Sequence, residues 1–281
     1  MERPINLEEA KKIAYGVLKE IDDFCTKHEI TYYLCYGTLI GAVRHKGFIP
    51  WDDDIDIMMP REDYDRFVAL AKDGIGDHIS LLYPEYNGDF FRPFARAYDS
   101  RTVLDFRNKK FHIDMGIWVD IFPLDGLPES KLKQKYHFTV QHIYRNMILA
   151  NFVEQGARSF SREIVRRLLK VFVTNRVCRR LIKLTMKRSK KYSYHQSPYV
   201  AISVAAYGIR NKIRREDVAY PIKMAFEDGE FNVPNGYHNV LTSIYGDYMK
   251  LPPIEQQIAH HAYDAYWVKD TVVQEESDRK G

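Results

Sequence analysis

The sequence predicts a mixed α/β (α+β) protein, with an α/β catalytic core over residues 1–128 and a mostly helical region, 129–281, packed on the core and completing its site. Three observations lead there. The chain opens with apolar residues at helical spacing. Short β-prone runs broken by Gly, Pro and Asp then continue to Phe122, and from Glu129 the pattern turns helical for two long segments. With 281 residues, 45% hydrophobic and 28% charged, the chain can bury one large core or a core with an appendage.

Asn6 followed by Glu9 reads as a capping box, and Ala10, Ile13, Val17, Ile21 and Phe24 recur at helical intervals, predicting a first helix that ends near Lys27. Thr31–Tyr36 is an aromatic, β-prone run closed by Gly37 and Thr38, so strand, turn and a short helix through Val43 are expected. Gly47–Trp51 reads as a loop, Ile55–Met59 as the second strand, and Pro60 as the start of a helix through Lys72. Further strands are expected over Ile79–Tyr83, Phe91–Tyr98, Thr102–Phe106 and Ile117–Phe122, with Pro123–Gly126 as a turn. Helical patterns cover Glu129 to about Val153 and Ser161–Lys191, and Asp228-Gly229 marks a hairpin between Ala225 and Val233. The polar tail from Gln274 lacks apolar anchors.

The formal charge of +4 is too small to point to nucleic acid. Three scattered cysteines, Cys25, Cys35 and Cys178, lack metal-ligand spacing and suit a reducing compartment. Met1–Glu9 has no apolar signal core and no run is long enough to span a bilayer, so a cytoplasmic protein is expected. Ser161–Lys191 carries Arg166, Arg167, Lys170, Arg179, Arg180 and Lys187 interleaved with Val165, Leu168, Phe172, Leu181 and Leu184. That pattern fits either a helix packing on the core with a solvated basic face, or peripheral contact with an anionic membrane on its inner face.

The chemistry is written in Gly37 to Ile57. In a strand alternate side chains share a face, so Asp54 and Asp56 point one way while Ile55 and Ile57 face the core. Two adjacent carboxylates repel unless a cation sits between them, and oxygen ligands on a rigid strand suit Mg²⁺ or Mn²⁺ bridging to substrate phosphates. An acidic surface loop would not need its charges interleaved with buried residues. Asp120 sits the same way within Ile117–Phe122, as a third metal ligand or as the base for an incoming hydroxyl. Gly37 and Thr38 open a helix whose free amides, hydroxyl and dipole can hold a phosphate, and Arg44, His45 and Lys46 bring cations near the same mouth. Basic capping of the helix C-terminus is the other reading of that trio. Asp125 reads as a turn-former, and Asp114 is ambiguous.

At these residues the sequence resembles the LicD family of phosphotransferases, whose eukaryotic relatives include fukutin and the fukutin-related protein. Tyr36–Ile57 is similar to that family's signature, and Asp120–Gly126 to its second block. Phe231–Pro253, with Pro234, Tyr237, Tyr245-Gly246-Asp247-Tyr248 and Leu251-Pro252-Pro253, matches the third, and His260-His261 follows. The resemblance implies a polymerase-β-like nucleotidyltransferase fold with Asp54 and Asp56 as metal ligands and Asp120 as the third carboxylate. It implies transfer of phosphocholine from CDP-choline, or a similar CDP-linked donor, to a glycopolymer or lipid-linked sugar of teichoic acid or lipopolysaccharide. In the mechanism it implies, an acceptor hydroxyl near Asp120 attacks the distal phosphorus, and CMP leaves with its charge neutralised by metal and Arg44. Transfer of ribitol phosphate, or nucleotidyl transfer from a nucleoside triphosphate, are the alternatives. The cysteine-rich zinc site of the fukutin-related protein has no counterpart here. Choline would need an aromatic box, for which Trp51, Trp118 and Tyr98 lie nearest in sequence.

Overall fold

In the computed structural model, residues 3–106, 113–152, 173–257 and 263–268 are described. The first helix forms where its cap and periodicity put it. Asn6 Oδ1 accepts the Glu9 backbone N–H (2.9 Å) at the head of α1 (Leu7–Lys27). The capping box is half made, because the Glu9 carboxylate accepts instead from Arg3 (2.7 Å) and the Trp267 indole (3.0 Å). Ala10, Ile13, Val17 and Ile21 are buried, and α1 packs across the main sheet.

That sheet runs in the order β2 (Tyr33–Leu34), β3 (Ile55–Pro60), β7 (Trp118–Gly126), β5 (Ala95–Asp99), β4 (Ile79–Leu82). β3 and β7 are parallel and the other pairs on this path are antiparallel. All nine residues of β7 are buried, as expected of a parallel central strand covered on both faces. β8 (Tyr199–Ala201) pairs with the far end of β7, and β9 (Lys212–Arg214) with β8. A second sheet, β1 (Arg3–Ile5), β12 (Tyr263–Trp267) and β6 (Thr102–Phe106), joins both ends of the described chain to its middle. β10 (Pro221–Phe226) and β11 (Gly229–Pro234) form the hairpin that Asp228-Gly229 signals. The remaining α-helices among the described residues are α2 (Tyr36–His45), α3 (Arg61–Leu70), α4 (Lys131–Phe152), α5 (Asn175–Ser189) and α6 (Tyr237–Tyr245).

The structure corrects the sequence in three places. Among the described residues after α5, α6 is the one further α-helix and the rest is largely strand and loop; those strands, apart from the hairpin, are three to five residues long and add to edges already present. Such runs are too short to show alternation. The strand expected from Phe91 starts at Ala95, past Pro93. Pro123–Gly126 is not a turn but the end of β7, and Asp125, wholly buried, accepts from Arg61 Nε (2.6 Å) and Nη2 (2.8 Å). A charge that reads as a turn-former is thus neutralised inside the fold. Gly126 allows this course, since a Cβ there would lie 2.2 Å from the Ser193 carbonyl oxygen.

Along α5, Cys178, Leu181, Ile182 and Met186 are buried while Arg179, Arg180 and Lys187 are exposed, so its apolar face is spent on the core. The rest of the basic stretch, 161–172, His260-His261 and the polar tail lie outside the described residues. Among the described residues no helix is long and apolar enough to cross a membrane.

Candidate active site

Because β3 and β7 run in parallel register, Asp56 stands directly beside Asp120, and antiparallel β5 sets Arg96 opposite Asp120 on the other side. Directly paired residues share a sheet face, so Asp56, Asp120 and Arg96 form one row across three strands. Asp54 extends the row by alternation at the start of β3, with Ile55 and Ile57 fully buried beneath.

Two contacts pin the loop that delivers these acids. Lys11 Nζ donates to the Pro50 carbonyl (2.8 Å), and the Phe48 N–H donates to Glu227 Oε1 (2.9 Å) in the hairpin turn. The head of α2 abuts the row: the Cys35 N–H donates to the Asp56 carbonyl (3.0 Å), and the Asp56 N–H to Thr38 Oγ1 (2.8 Å). The Thr38 oxygen expected to face a phosphate therefore also holds the strand. A Cβ at Gly37 would lie 2.5 Å from Asp52 Oδ2, so glycine leaves room for that carboxylate against the positive first turn of α2.

Charge in the row is unbalanced. Burial pushes the Asp56 carboxyl well above the usual carboxylate range, Asp54, Asp120 and Asp52 push it further, and Arg96 pulls it down. Arg96 is bound to Asp120 through two bonds, Nε to Oδ1 (2.6 Å) and Nη2 to Oδ2 (2.9 Å). Its guanidinium lies 4.1 Å over the Trp118 ring, so that aromatic already faces a cation.

Arg44 and His45 end up elsewhere. They sit at the opposite end of α2 from Gly37, about 10 Å along the axis at 1.5 Å per residue. Arg44 donates to the Tyr248 carbonyl and to His45 Nε2, both at 2.9 Å. Burial and the neighbouring Arg44 hold the His45 pKa below its ordinary value. Trp51 reaches His45 edge-on (6.5 Å) from the acidic loop. The structure thus groups Asp54, Asp56, Asp120, Gly37 and Thr38, and gives Arg96 the place beside the carboxylates expected of Arg44.

Aromatic chemistry collects around Tyr36. This residue enters α2 at φ +48°, a left-handed conformation that a bulky side chain adopts only when its surroundings impose it. Its hydroxyl donates to Asn211 Oδ1 (2.9 Å), and its ring meets Phe122 at 5.5 Å and Tyr207 at 5.2 Å. Tyr207 in turn meets Tyr245 at 5.5 Å and, at 38% exposure, opens the cluster to solvent. Burial pushes the Tyr207 hydroxyl up, and the charges of Asp56, Asp54 and Asp52 push it further, which places the cluster in their field. Sequence reasoning missed Tyr207, Asp52 and Arg96. Only Arg96 carried a signal, a charge between Ala95 and Ala97 in a β-prone run.

Among the described residues no three His, Cys, Asp or Glu side chains converge as a ready-made metal cage. Both Asp120 oxygens already accept from Arg96, which leaves Asp56 on β3 and Asp54 just before it as the donor pair. Two carboxylates whose charges oppose each other still fit Mg²⁺, which binds through one or two carboxylates and completes its shell with water and substrate phosphate.

The family described as "LicD/FKTN/FKRP, nucleotidyltransferase domain" matches residues 29–147, which contain the whole carboxylate row. The chain is 32% identical over 275 residues to the lipopolysaccharide cholinephosphotransferase LicD of Haemophilus influenzae, covering 94% of this chain and 99% of that protein. It is also 30% identical over 131 residues to an uncharacterised protein of Rickettsia prowazekii, covering 46% of this chain and 42% of that one.

Proposed function

The chain belongs to the LicD family, and from this premise we propose that it is a metal-dependent phosphotransferase built on a nucleotidyltransferase-like core. It moves phosphocholine from CDP-choline to a sugar hydroxyl of a cell-surface glycopolymer, lipopolysaccharide or teichoic acid. The observation that carries this reading is the juxtaposition of an acidic row on β3 and β7 with a solvent-open tyrosine cluster. Acids alone would serve any nucleotide chemistry; acids beside ring faces suit a phosphate ester that carries a quaternary ammonium.

Asp54 and Asp56 would hold Mg²⁺ or Mn²⁺, which when bound neutralises the diphosphate oxygens of the donor. The remaining work belongs to the chain's own groups. Tyr207, the exposed member of the cluster, offers a ring face to the choline head, with Tyr36 and Tyr245 packed against it. Arg96 orients the Asp120 carboxylate, whose unused lone pairs accept the proton of the acceptor hydroxyl. The acceptor oxygen bonds to the choline-bearing phosphorus as the bond from that phosphorus to the CMP oxygen breaks, and CMP departs with the electron pair. Gly37 and Thr38 frame the mouth, and Arg44, His45 and Trp51 shape the loop that carries the acids to it.

Incubation with CDP-choline, CDP-ribitol, CDP-glycerol and CTP in turn, with Mg²⁺, tests the cargo. CDP-choline is expected to raise the thermal midpoint most, and Tyr207→Ala to remove at least tenfold of its affinity while sparing CDP-glycerol. Equal loss for both donors would take the ring cluster out of head-group selection, and preferential binding of CDP-ribitol would change the cargo.

A further inference from the structure

α4 spends polar residues on its buried side and apolar ones on its outer side. Gln134, His137 and Gln141 are buried beside Phe138 and Ile148, hydrogen-bonded with the Pro128 carbonyl, Ser203 Oγ and Ser189 Oγ. Facing outward, Leu132, Tyr136 and Ile143 are 80%, 64% and 49% exposed. At 3.6 residues per turn the three lie within about 40° of one another round the helix, so they form one stripe. Apolar residues exposed singly are ordinary, whereas an aligned row marks a surface that something covers. The charge around the stripe has one sign. Neither α4 nor α5 contains an Asp or Glu. Lys133 and Lys135 are exposed on α4, and on α5 exposed Arg180 and Lys187 flank Leu184, itself exposed. The Arg188 guanidinium lies 4.7 Å over the Tyr136 ring, which joins the basic face of α5 to the stripe. Asp89 and Asp65 answer Arg179 (3.3 Å) and Lys190 (3.0 Å), but roughly 120–140° round the α5 axis from Leu184.

We propose that the outer face of α4 and α5 docks on an anionic lipid surface, with Leu132, Tyr136 and Ile143 entering the headgroup layer and Lys135, Arg180 and Lys187 on lipid phosphates. Charge selects this occupant. A second copy of the chain, meeting this face with its own, would set cations against cations. A soluble acidic partner would answer the cations, but an outward leucine beside an outward tyrosine suits a layer that is polar above and apolar below. The turn Gly208–Asn211, next to Tyr207, also packs on α4, so docking would hold the ring cluster near the bilayer. Lipid binding stands apart from the phosphotransferase reading. Its use, which is to present a lipid-linked acceptor to the site, rests on that reading.

Flotation of the full chain with vesicles of phosphatidylcholine, alone or mixed equally with phosphatidylglycerol, tests this with neither donor nor acceptor present. Binding to the phosphatidylglycerol vesicles is expected to be at least tenfold tighter than to phosphatidylcholine alone, and to weaken as salt is raised. Leu132→Ser/Ile143→Ser and Arg180→Glu/Lys187→Glu should each weaken it at least tenfold. All four side chains are exposed, so the thermal midpoints should stay at the wild-type value. Leu132→Trp reads insertion directly: relative to wild type, its emission should move to shorter wavelength on phosphatidylglycerol vesicles and stay in place with soluble polyphosphate. Equal binding to both vesicles, or binding that survives both double variants, overturns the proposal. Binding without the Leu132→Trp shift overturns it in favour of a soluble acidic partner. A lipid-free dimer that Leu132→Ser/Ile143→Ser dissolves overturns it in favour of a second copy. Failure to release CMP from CDP-choline would sink the phosphotransferase reading and leave each of these lipid results as it is.

Discussion

Asp56 and Asp125 are both strand aspartates beside apolar neighbours, and their surroundings give them opposite fates. Asp125 meets Arg61 through two short bonds and is sealed from solvent. Asp125→Asn should therefore cost about 3–5 kcal/mol of stability, the range for breaking a buried ion pair, read by denaturant titration. Asp56 meets other carboxylates instead. Asp56→Asn and Asp54→Asn should each slow turnover by about 10²-fold or more, in line with the loss of a group that stabilises transition-state charge, with the fold intact by circular dichroism. The pH dependence has a definite sign. The folded protein keeps the Asp56 proton at pH values where the unfolded chain, with its carboxyl near about 3.9, has released it. Stability from this group therefore falls as pH rises from about 4 through the raised folded value. Thermal midpoints of wild type minus Asp56→Asn, in EDTA, should decline across that window, and Mg²⁺ should reduce the decline. The Asp54 and Asp56 pair was legible because Asp alternates with Ile over adjacent positions. The partners of Asp120 and Asp125 were not, because Arg96 and Arg61 arrive from strands and helices dozens of residues away.

Among the elements, those with many periods of pattern were readable and those made by tertiary pairing were not. α1 and α4 fall where periodicity puts them, whereas β8 and β9 exist only because the end of β7 offers an edge. The α4–α5 contact has its own signature. His137 on α4 is buried with Nε2 3.1 Å from Ser203 Oγ, and burial, helped by Arg188 and Lys191, pushes its pKa down to about 4. The unfolded chain takes up this proton near pH about 6.5 while the folded one resists it, so stability rises with pH between the two values. Acidification from about 6.5 to 4 should then remove roughly 3 kcal/mol through this residue alone. Chemical denaturation across that range should show a shallower slope in His137→Gln; an unchanged slope would mean that the imidazole is protonated in the fold.

For the whole molecule, the tyrosines that frame the carboxylates come from three distant stretches, Tyr36 from α2, Tyr207 from the turn before β9 and Tyr245 from the end of α6. β12 crosses back to pair with β6 and β1. A fragment of residues 1–128 lacks β8, β12 and two of these tyrosines, and it should fail to show the cooperative unfolding of the full chain. Sharp cooperative melting of the fragment would make the core autonomous. The central claim is that the acid row, with the ring cluster beside it, transfers phosphocholine rather than a nucleotide. Mass analysis of the products formed from isotope-labelled CDP-choline and lipopolysaccharide with Mg²⁺ tests it most directly. The account predicts free CMP and labelled phosphocholine on a sugar hydroxyl, both lost in Asp56→Asn; pyrophosphate released from CTP with a nucleotide left on the acceptor, or CMP release that persists in Asp56→Asn, would contradict it.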